Sequence, residues 1–191
     1  HPRPVPGEDP LERMQAESPD ALARAKRVRL MLFDVDGVLT DGKLWYGPSG
    51  EALKAFSVLD GHGIKQLQQS GVAVALLSGR NSPAVTLRAT ELGIAHALQG
   101  IDDKLAAFES LAAKLGVAAA ETGFMGDDVI DLPVLRRCGF ACAPREADAL
   151  VRRHVNYVAR SPAGGGAARE VCEFLMLAQG TLEAALARYL A

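Results

Sequence analysis

The stretch Leu30–Gly42, LMLFDVDGVLTDG, constrains the fold of this chain more than any other. Four bulky apolar residues, Leu30 to Phe33, run straight into Asp34-Val35-Asp36-Gly37. A short unbroken apolar run closed by Asp and Gly predicts a strand buried on both faces that ends in a tight turn. Such strands belong to parallel sheets covered by helices, and in open α/β sheets ligands bind beyond the carboxyl ends of the strands. Asp34 and Asp36 are therefore expected in a crevice at the sheet edge. Two carboxylates held together raise each other's pKa unless a cation lies between them, and a hard divalent ion such as Mg²⁺ suits oxygen ligands. Asp and Gly are also ordinary turn residues, so this stretch alone does not fix a function. An EF-hand fits poorly, because Gly37 is fourth from Asp34 rather than sixth and Val38 and Leu39 fall where oxygen ligands are needed.

The rest of the chain supplies the context. Its 191 residues, 49% hydrophobic, suffice for one core, which argues for one domain with modest additions. Lys and Arg number 21 against 23 acids, so no strongly basic face for nucleic acid is expected. Cys138, Cys142 and Cys172 lack a CxxC spacing or a nearby His and read as buried thiols suited to a reducing cytoplasm. The apolar run Val72–Leu77 is too short to span a bilayer and the N-terminus lacks an apolar signal core. A soluble cytoplasmic protein without membrane contact is expected. Residues 1–19 hold five prolines and few bulky apolar residues, and are expected to be disordered.

Downstream, elements alternate. A short helix is expected at 20–27, and a β-hairpin from 43–46 and 52–56 around Gly47-Pro48-Ser49-Gly50. Leu44, Trp45, Tyr46, Leu53 and Phe56 make both hairpin faces partly apolar, so the ribbon should pack on a partner, and oligomerisation through it is inferred. Helices are then expected at 63–69, 83–92, 102–115, 129–136, 148–151 and 167–177, and strands at 72–77, 96–98, 122–125, 140–143 and 155–158. That rhythm defines an α/β fold, a Rossmann-like doubly wound parallel sheet with a hairpin protruding after the first strand. Gly164-Gly165-Gly166 reads as a hinge, and residues 181–191 as a C-terminal helical tail beyond a domain spanning 20–180.

Polar groups gather where the strands should end. Strand 72–77 stops at Ser78-Gly79-Arg80, a hydroxyl, an unobstructed backbone amide and a guanidinium that together can hold phosphoryl oxygens. Strand 122–125 stops at Gly126-Asp127-Asp128, with Asp131 one turn later. Lys104, near a helix start, can neutralise a dianion. Each has an ordinary alternative as a loop, a helix cap or a solvated residue. Their common placement at strand ends is the stronger signal.

In this order the motifs D-V-D-G, S-G-R, a lone Lys and G-D-D-x-x-D resemble the haloacid dehalogenase phosphatase superfamily over about residues 30–180. The resemblance implies that Asp34 is the nucleophile and Asp36 the acid that protonates the departing alcohol and later activates water. It implies that Ser78 and Lys104 hold phosphate, and that Asp127 ligates Mg²⁺ with the Asp34 carboxylate and the Asp36 backbone carbonyl. Asp128 and Asp131 would be supporting acids. Only 44 positions separate Asp34 from Ser78 (78 − 34), so no separate cap domain fits there, nor between Ser78 and Asp127. Water would have to be excluded by another subunit.

Finer motifs add to this: D-G-H-G-I at 60–64, L-S-G-R-N at 77–81, Q-G-I-D-D-K at 99–104 and G-G-G-A-A-R-E-V-C-E at 164–173. They resemble the 3-deoxy-D-manno-octulosonate 8-phosphate phosphatases, a cap-less, Mg²⁺-dependent, homotetrameric branch. That likeness implies a phosphorylated acidic sugar as substrate and a step in lipopolysaccharide biosynthesis. Arg80 and Arg88 are candidate partners for the sugar acid, with Arg169 a third candidate from a neighbouring chain. A phosphatase for a nine-carbon, sialic-acid-like 9-phosphate shares most of these motifs and stays open, as does a non-catalytic assembly module of the same fold. The presence of every catalytic acid, Ser78 and Lys104 speaks against the latter. A receiver domain would be phosphorylated on an Asp after a middle strand, not the first.

Overall fold

A computed structural model of the chain describes Asp9, Leu11, Glu12, Met14 and residues 19–191. Six parallel strands form its main sheet: β1 (Leu30–Phe33), β4 (Ala73–Leu77), β5 (His96–Leu98), β6 (Thr122–Met125), β7 (Phe140–Ala143) and β8 (Tyr157–Val158), in the order β5-β4-β1-β6-β7-β8. β1 is central because it is buried throughout and both faces are covered. Met31 and Phe33 join one apolar cluster, Leu30 and Leu32 the other, on opposite sides of the sheet. The chain leaves β1 for β4 on one side and later returns to β6 on the other. Phe33 is in register with Leu76 and Met125, so the three strands end within one residue of the same level beside this reversal.

One face carries helices α1 (Pro19–Ala25), α2 (Val58–Gln69), α3 (Pro83–Leu92) and α7 (Ala167–Gln179), with α8 (Leu182–Ala187) beyond them. The other carries α4 (Lys104–Lys114), α5 (Leu132–Leu135) and α6 (Ala149–Arg153). The doubly wound sheet expected from the sequence is what forms. Among the described residues no helix is long and apolar enough to cross a membrane. Cys138, Cys142 and Cys172 are buried free thiols, as expected.

Several boundaries differ from expectation for physical reasons. Helix α2 begins at Val58 rather than residue 63, because Ser57 caps it by accepting the Leu59 and Asp60 N–H groups. Gly61 as well as Gly63 lies inside the helix, where a Cβ would collide with the Arg88 guanidinium and with the Arg169 side chain respectively. The hairpin strands are β2 (Trp45–Gly47) and β3 (Gly50–Leu53), tighter than expected around Pro48-Ser49. In place of one helix over 129–136, a 3-10 turn at Val129–Asp131 precedes α5.

The triple glycine expected as a hinge is packed. A Cβ on Gly164 would lie 2.7 Å from the Asp41 backbone nitrogen, and the Gly164 N–H donates to the Val38 carbonyl at 3.1 Å. The loop before α7 therefore braces the turn that follows Asp36. Met14 is only 5% exposed within the core and Leu11 packs against it, so the reading of 1–19 as too poor in apolar residues to pack fails at these two positions. Pro19 of that expected disordered segment opens α1, Asp9 and Glu12 are exposed, and its other residues lie outside the described ones.

Candidate active site

Asp34 follows the last residue of β1, and its N–H donates to the Met125 carbonyl of β6 at 3.0 Å. The side chain is buried and accepts the Val35 N–H at 2.7 Å. The turn is closed by Thr40, whose hydroxyl accepts the N–H groups of Gly37 at 3.3 Å and Gly42 at 3.2 Å. Gly37 has φ +81°, and a Cβ there would strike the Asp127 carboxylate. Only glycine lets the turn after β1 approach the loop after β6 this closely.

Lys104 opens α4, whose N-cap is Asp103, accepting the Ala106 N–H at 3.0 Å. Its ammonium reaches Asp131 at 2.8 Å and Asp34 at 3.3 Å. Asp131 is fully buried, and its second oxygen accepts the N–H groups of Asp127 at 3.0 Å and Asp128 at 3.3 Å. Carboxylate oxygens of Asp34, Asp127 and Asp131 lie within 4.8 Å of one another.

Burial, together with the neighbouring Asp131 and Asp127, pushes the Asp34 carboxyl well above the ordinary range, against the pull of Lys104. Burial and the charges of Asp131 and Asp128 likewise raise Asp127 to about 6. Burial alone would lower Lys104, but Asp34 and Asp131 outweigh it and hold the ammonium charged. Three convergent carboxylates share one ammonium. The oxygen-rich, negatively unbalanced set fits a hard divalent cation.

Asp34, Lys104 and Asp127 line a cleft of about 260 Å³ together with Asp36, Gly42, Ser78, Gly79, Arg80, Asp128 and Ile130. Ser78 follows β4 and is held by its N–H to the Leu98 carbonyl at 2.8 Å. The Asp128 side chain caps the following turn by accepting the Val129 N–H at 2.7 Å. Asp34, Asp36, Ser78, Gly79, Arg80, Lys104, Asp127 and Asp128 thus meet in one cleft, with Asp131 beneath them.

Two expected residues are placed elsewhere. Arg88 donates to the Ser57 carbonyl at 3.2 Å and to Glu91 at 3.1 Å, with its guanidinium over the Phe56 ring. Arg169 pairs with Glu173 at 2.6 Å and donates to the Leu59 carbonyl at 3.3 Å. Neither lines the cleft of its own chain.

Sequence reading missed Lys54 and Glu51. The Lys54 ammonium lies 2.6 Å from Asp36 and 2.9 Å from Glu51, whose other oxygen accepts from Arg80 at 2.9 Å. Nothing in the local pattern A-L-K-A-F separates this lysine from a solvated one.

An acid pair at the end of a central parallel strand, with Ser, Lys and further acids at neighbouring strand ends, is a phosphohydrolase arrangement. A family model described as haloacid dehalogenase-like hydrolase matches residues 98–171. The chain is 45% identical over 168 residues to the 3-deoxy-D-manno-octulosonate 8-phosphate phosphatase KdsC of Escherichia coli K12, covering 88% of this chain and 89% of the relative. The crystal structure of the Yersinia pestis phosphatase of that name superposes with a TM-score of 0.84 at 43% identity, over 86% of this chain and 89% of the other. The Moraxella catarrhalis phosphatase, solved with magnesium ion, phosphate ion and a KDO molecule, gives 0.87 at 40% identity, over 89% and 98%. The chain belongs to the 3-deoxy-D-manno-octulosonate 8-phosphate phosphatase family.

Proposed function

We propose that this chain hydrolyses 3-deoxy-D-manno-octulosonate 8-phosphate to the free sugar acid and phosphate through a phosphoryl-Asp34 intermediate. The observation that carries the reading is the meeting of Asp34, Asp36, Ser78, Lys104 and Asp127 in one cleft at the carboxyl end of β1. The likeness to the E. coli phosphatase supports the choice of substrate. Cytoplasmic location and a role in lipopolysaccharide biosynthesis follow from that choice.

Asp34 and Asp127, with the Asp36 backbone carbonyl, would hold Mg²⁺. Bound there, the ion neutralises the charge of the nucleophile and of the phosphoryl oxygens. Ser78, the Gly79 amide and Lys104 hold the phosphoryl group, and Arg80 lies at the rim for the sugar acid. An Asp34 oxygen attacks phosphorus while the bond to the sugar oxygen breaks, and Asp36 gives that oxygen its proton. Water then attacks the phosphoryl group, Asp36 takes a proton from it, and the bond to Asp34 breaks. Exclusion of bulk water falls to a neighbouring subunit, because the hairpin presents Trp45, Tyr46 and Leu53 outward and suits packing into a homotetramer.

The test is Mg²⁺-dependent phosphate release from the eight-carbon 8-phosphate and a nine-carbon 9-phosphate side by side. Preference for the eight-carbon ester, lost in Asp34→Asn and with chelator, is expected. Preference for the nine-carbon ester would move the substrate and keep the chemistry, and turnover of neither would overturn the proposal.

A further inference from the structure

Lys54 stands just past β3, in a hairpin whose neighbouring Leu53 is 67% exposed, yet its own side chain is 1% exposed. A buried ammonium is costly unless it is paired and hydrogen-bonded. Here it is paired twice, with Asp36 Oδ1 at 2.6 Å and Glu51 Oε1 at 2.9 Å. Glu51 Oε2 in turn accepts from Arg80 Nη2 at 2.9 Å and Nε at 3.3 Å, and Arg80 Nη2 also donates to the Tyr46 hydroxyl at 3.4 Å. An unbroken chain of charges, Asp36–Lys54–Glu51–Arg80, thus ties the hairpin to both sides of the cleft.

We infer that Lys54 is a positioning residue for Asp36: by holding Oδ1 it fixes the carboxyl rotamer and leaves Oδ2 to meet the departing sugar oxygen. This rests on the reading of Asp36 as the acid. An ammonium donates only, so the contact takes up Oδ1 as an acceptor and sets the plane of the carboxyl group. Glu51 holds Lys54 from behind, and the hairpin becomes part of the proton-transfer apparatus as well as a packing surface. Lys54 touches no reacting atom.

A positioning role and a simple docking role differ in their dependence on the leaving group. A sugar alkoxide must be protonated as it departs, whereas p-nitrophenolate leaves without help. The value of kcat/KM reports steps up to departure, so later water attack does not obscure it. Lys54→Met is expected to lower kcat/KM for the sugar phosphate by roughly 100-fold, within the range for losing general acid catalysis, and for p-nitrophenyl phosphate by less than about threefold. Lys54→Arg should recover part of the loss, and Glu51→Gln should give a smaller split of the same sign. Glu51→Gln carries the test if Lys54→Met does not fold. Equal losses on both esters, or no loss on either, would overturn the role of Lys54. Asp36→Asn is the reference: if it shows no split, the assignment of Asp36 as the acid fails, and the proposal with it. Lack of turnover of the sugar phosphate by the unmodified chain would instead count against the proposed substrate.

Discussion

The carboxylate of Asp131 lies 2.8 Å from the ammonium of Lys104 and is completely buried. Its other oxygen receives the Asp127 N–H at 3.0 Å, so one side chain aligns the Lys104 ammonium and the loop that carries a candidate metal ligand. Removing one partner of a buried pair leaves the other charge uncompensated. Asp131→Ala should therefore destabilise the fold by about 3 kcal/mol in denaturant unfolding. Asp131→Asn, which keeps an oxygen acceptor, should lose less. Equal stability of Asp131→Ala and the unmodified chain would show that Lys104 and the Asp127 loop hold their places alone.

Gly37 and Gly50 both have positive φ, +81° and +113°, but different surroundings. A Cβ on Gly37 would meet the Asp127 carboxylate, whereas one on Gly50 would meet nothing within 4 Å. Alanine at either site carries the backbone penalty, on the order of 1 kcal/mol. Gly37→Ala alone should also displace Asp127, raising the Mg²⁺ concentration for half-maximal activity more than about tenfold, where tenfold equals roughly 1.4 kcal/mol. Matching Mg²⁺ dependence in the two variants would refute the steric argument.

The residues that meet in the candidate site are legible in the sequence because parallel strands covered on both faces are unbroken apolar runs, and the residue after each run faces the crevice. Asp34, Ser78 and the Gly126-Asp127 pair follow their strands without ambiguity. The parts that were not readable depend on distant contacts. The start of α2 is hidden by Gly61 and Gly63, whose missing side chains make room for Arg88 and Arg169, residues far along the chain. Lys54 is hidden because its burial depends on Asp36, 18 positions earlier, folding back beneath it. Arg88 is a cation on the helix after Ser78, but the face it occupies turns toward Phe56 and Ser57, and it pairs with Glu91 of its own helix.

Asp127, raised to about 6 by burial and by Asp131 and Asp128, binds a proton in the metal-free fold that the unfolded chain does not hold until about pH 4. Between those values the folded state carries more protons than the unfolded state, so stability falls as pH rises. Asp34, raised for related reasons, acts in the same direction. Protein stripped with chelator should thus be more resistant to denaturant near pH 5 than near pH 7. Saturating Mg²⁺ should abolish or invert that slope, because the ion favours the deprotonated carboxylates, and its binding below pH 6 should release protons. Calorimetric titration in two buffers of different ionisation enthalpy measures that release, and none at pH 5.5 would contradict the raised Asp127.

Trp45 and Leu53 are cross-strand partners of the hairpin, 59% and 67% exposed, beside the equally exposed Tyr46. A two-stranded ribbon is marginal alone, and so large an apolar surface calls for cover. If copies of the chain supply it, a single acid on this face should break the assembly, because an unpaired carboxylate would have to be desolvated in an apolar interface. Leu53→Asp should give a species of monomer mass in sedimentation velocity, with the main fold retained by circular dichroism. Asp34, Ser78, Lys104 and Asp127 line the cleft from one chain, so p-nitrophenyl phosphate turnover should largely survive. Turnover of the sugar phosphate should fall, since the neighbouring subunit no longer excludes water from the cleft. An unchanged oligomer would rule out this face as the interface, and a monomer with full sugar phosphatase activity would show that the cleft is closed without a second subunit.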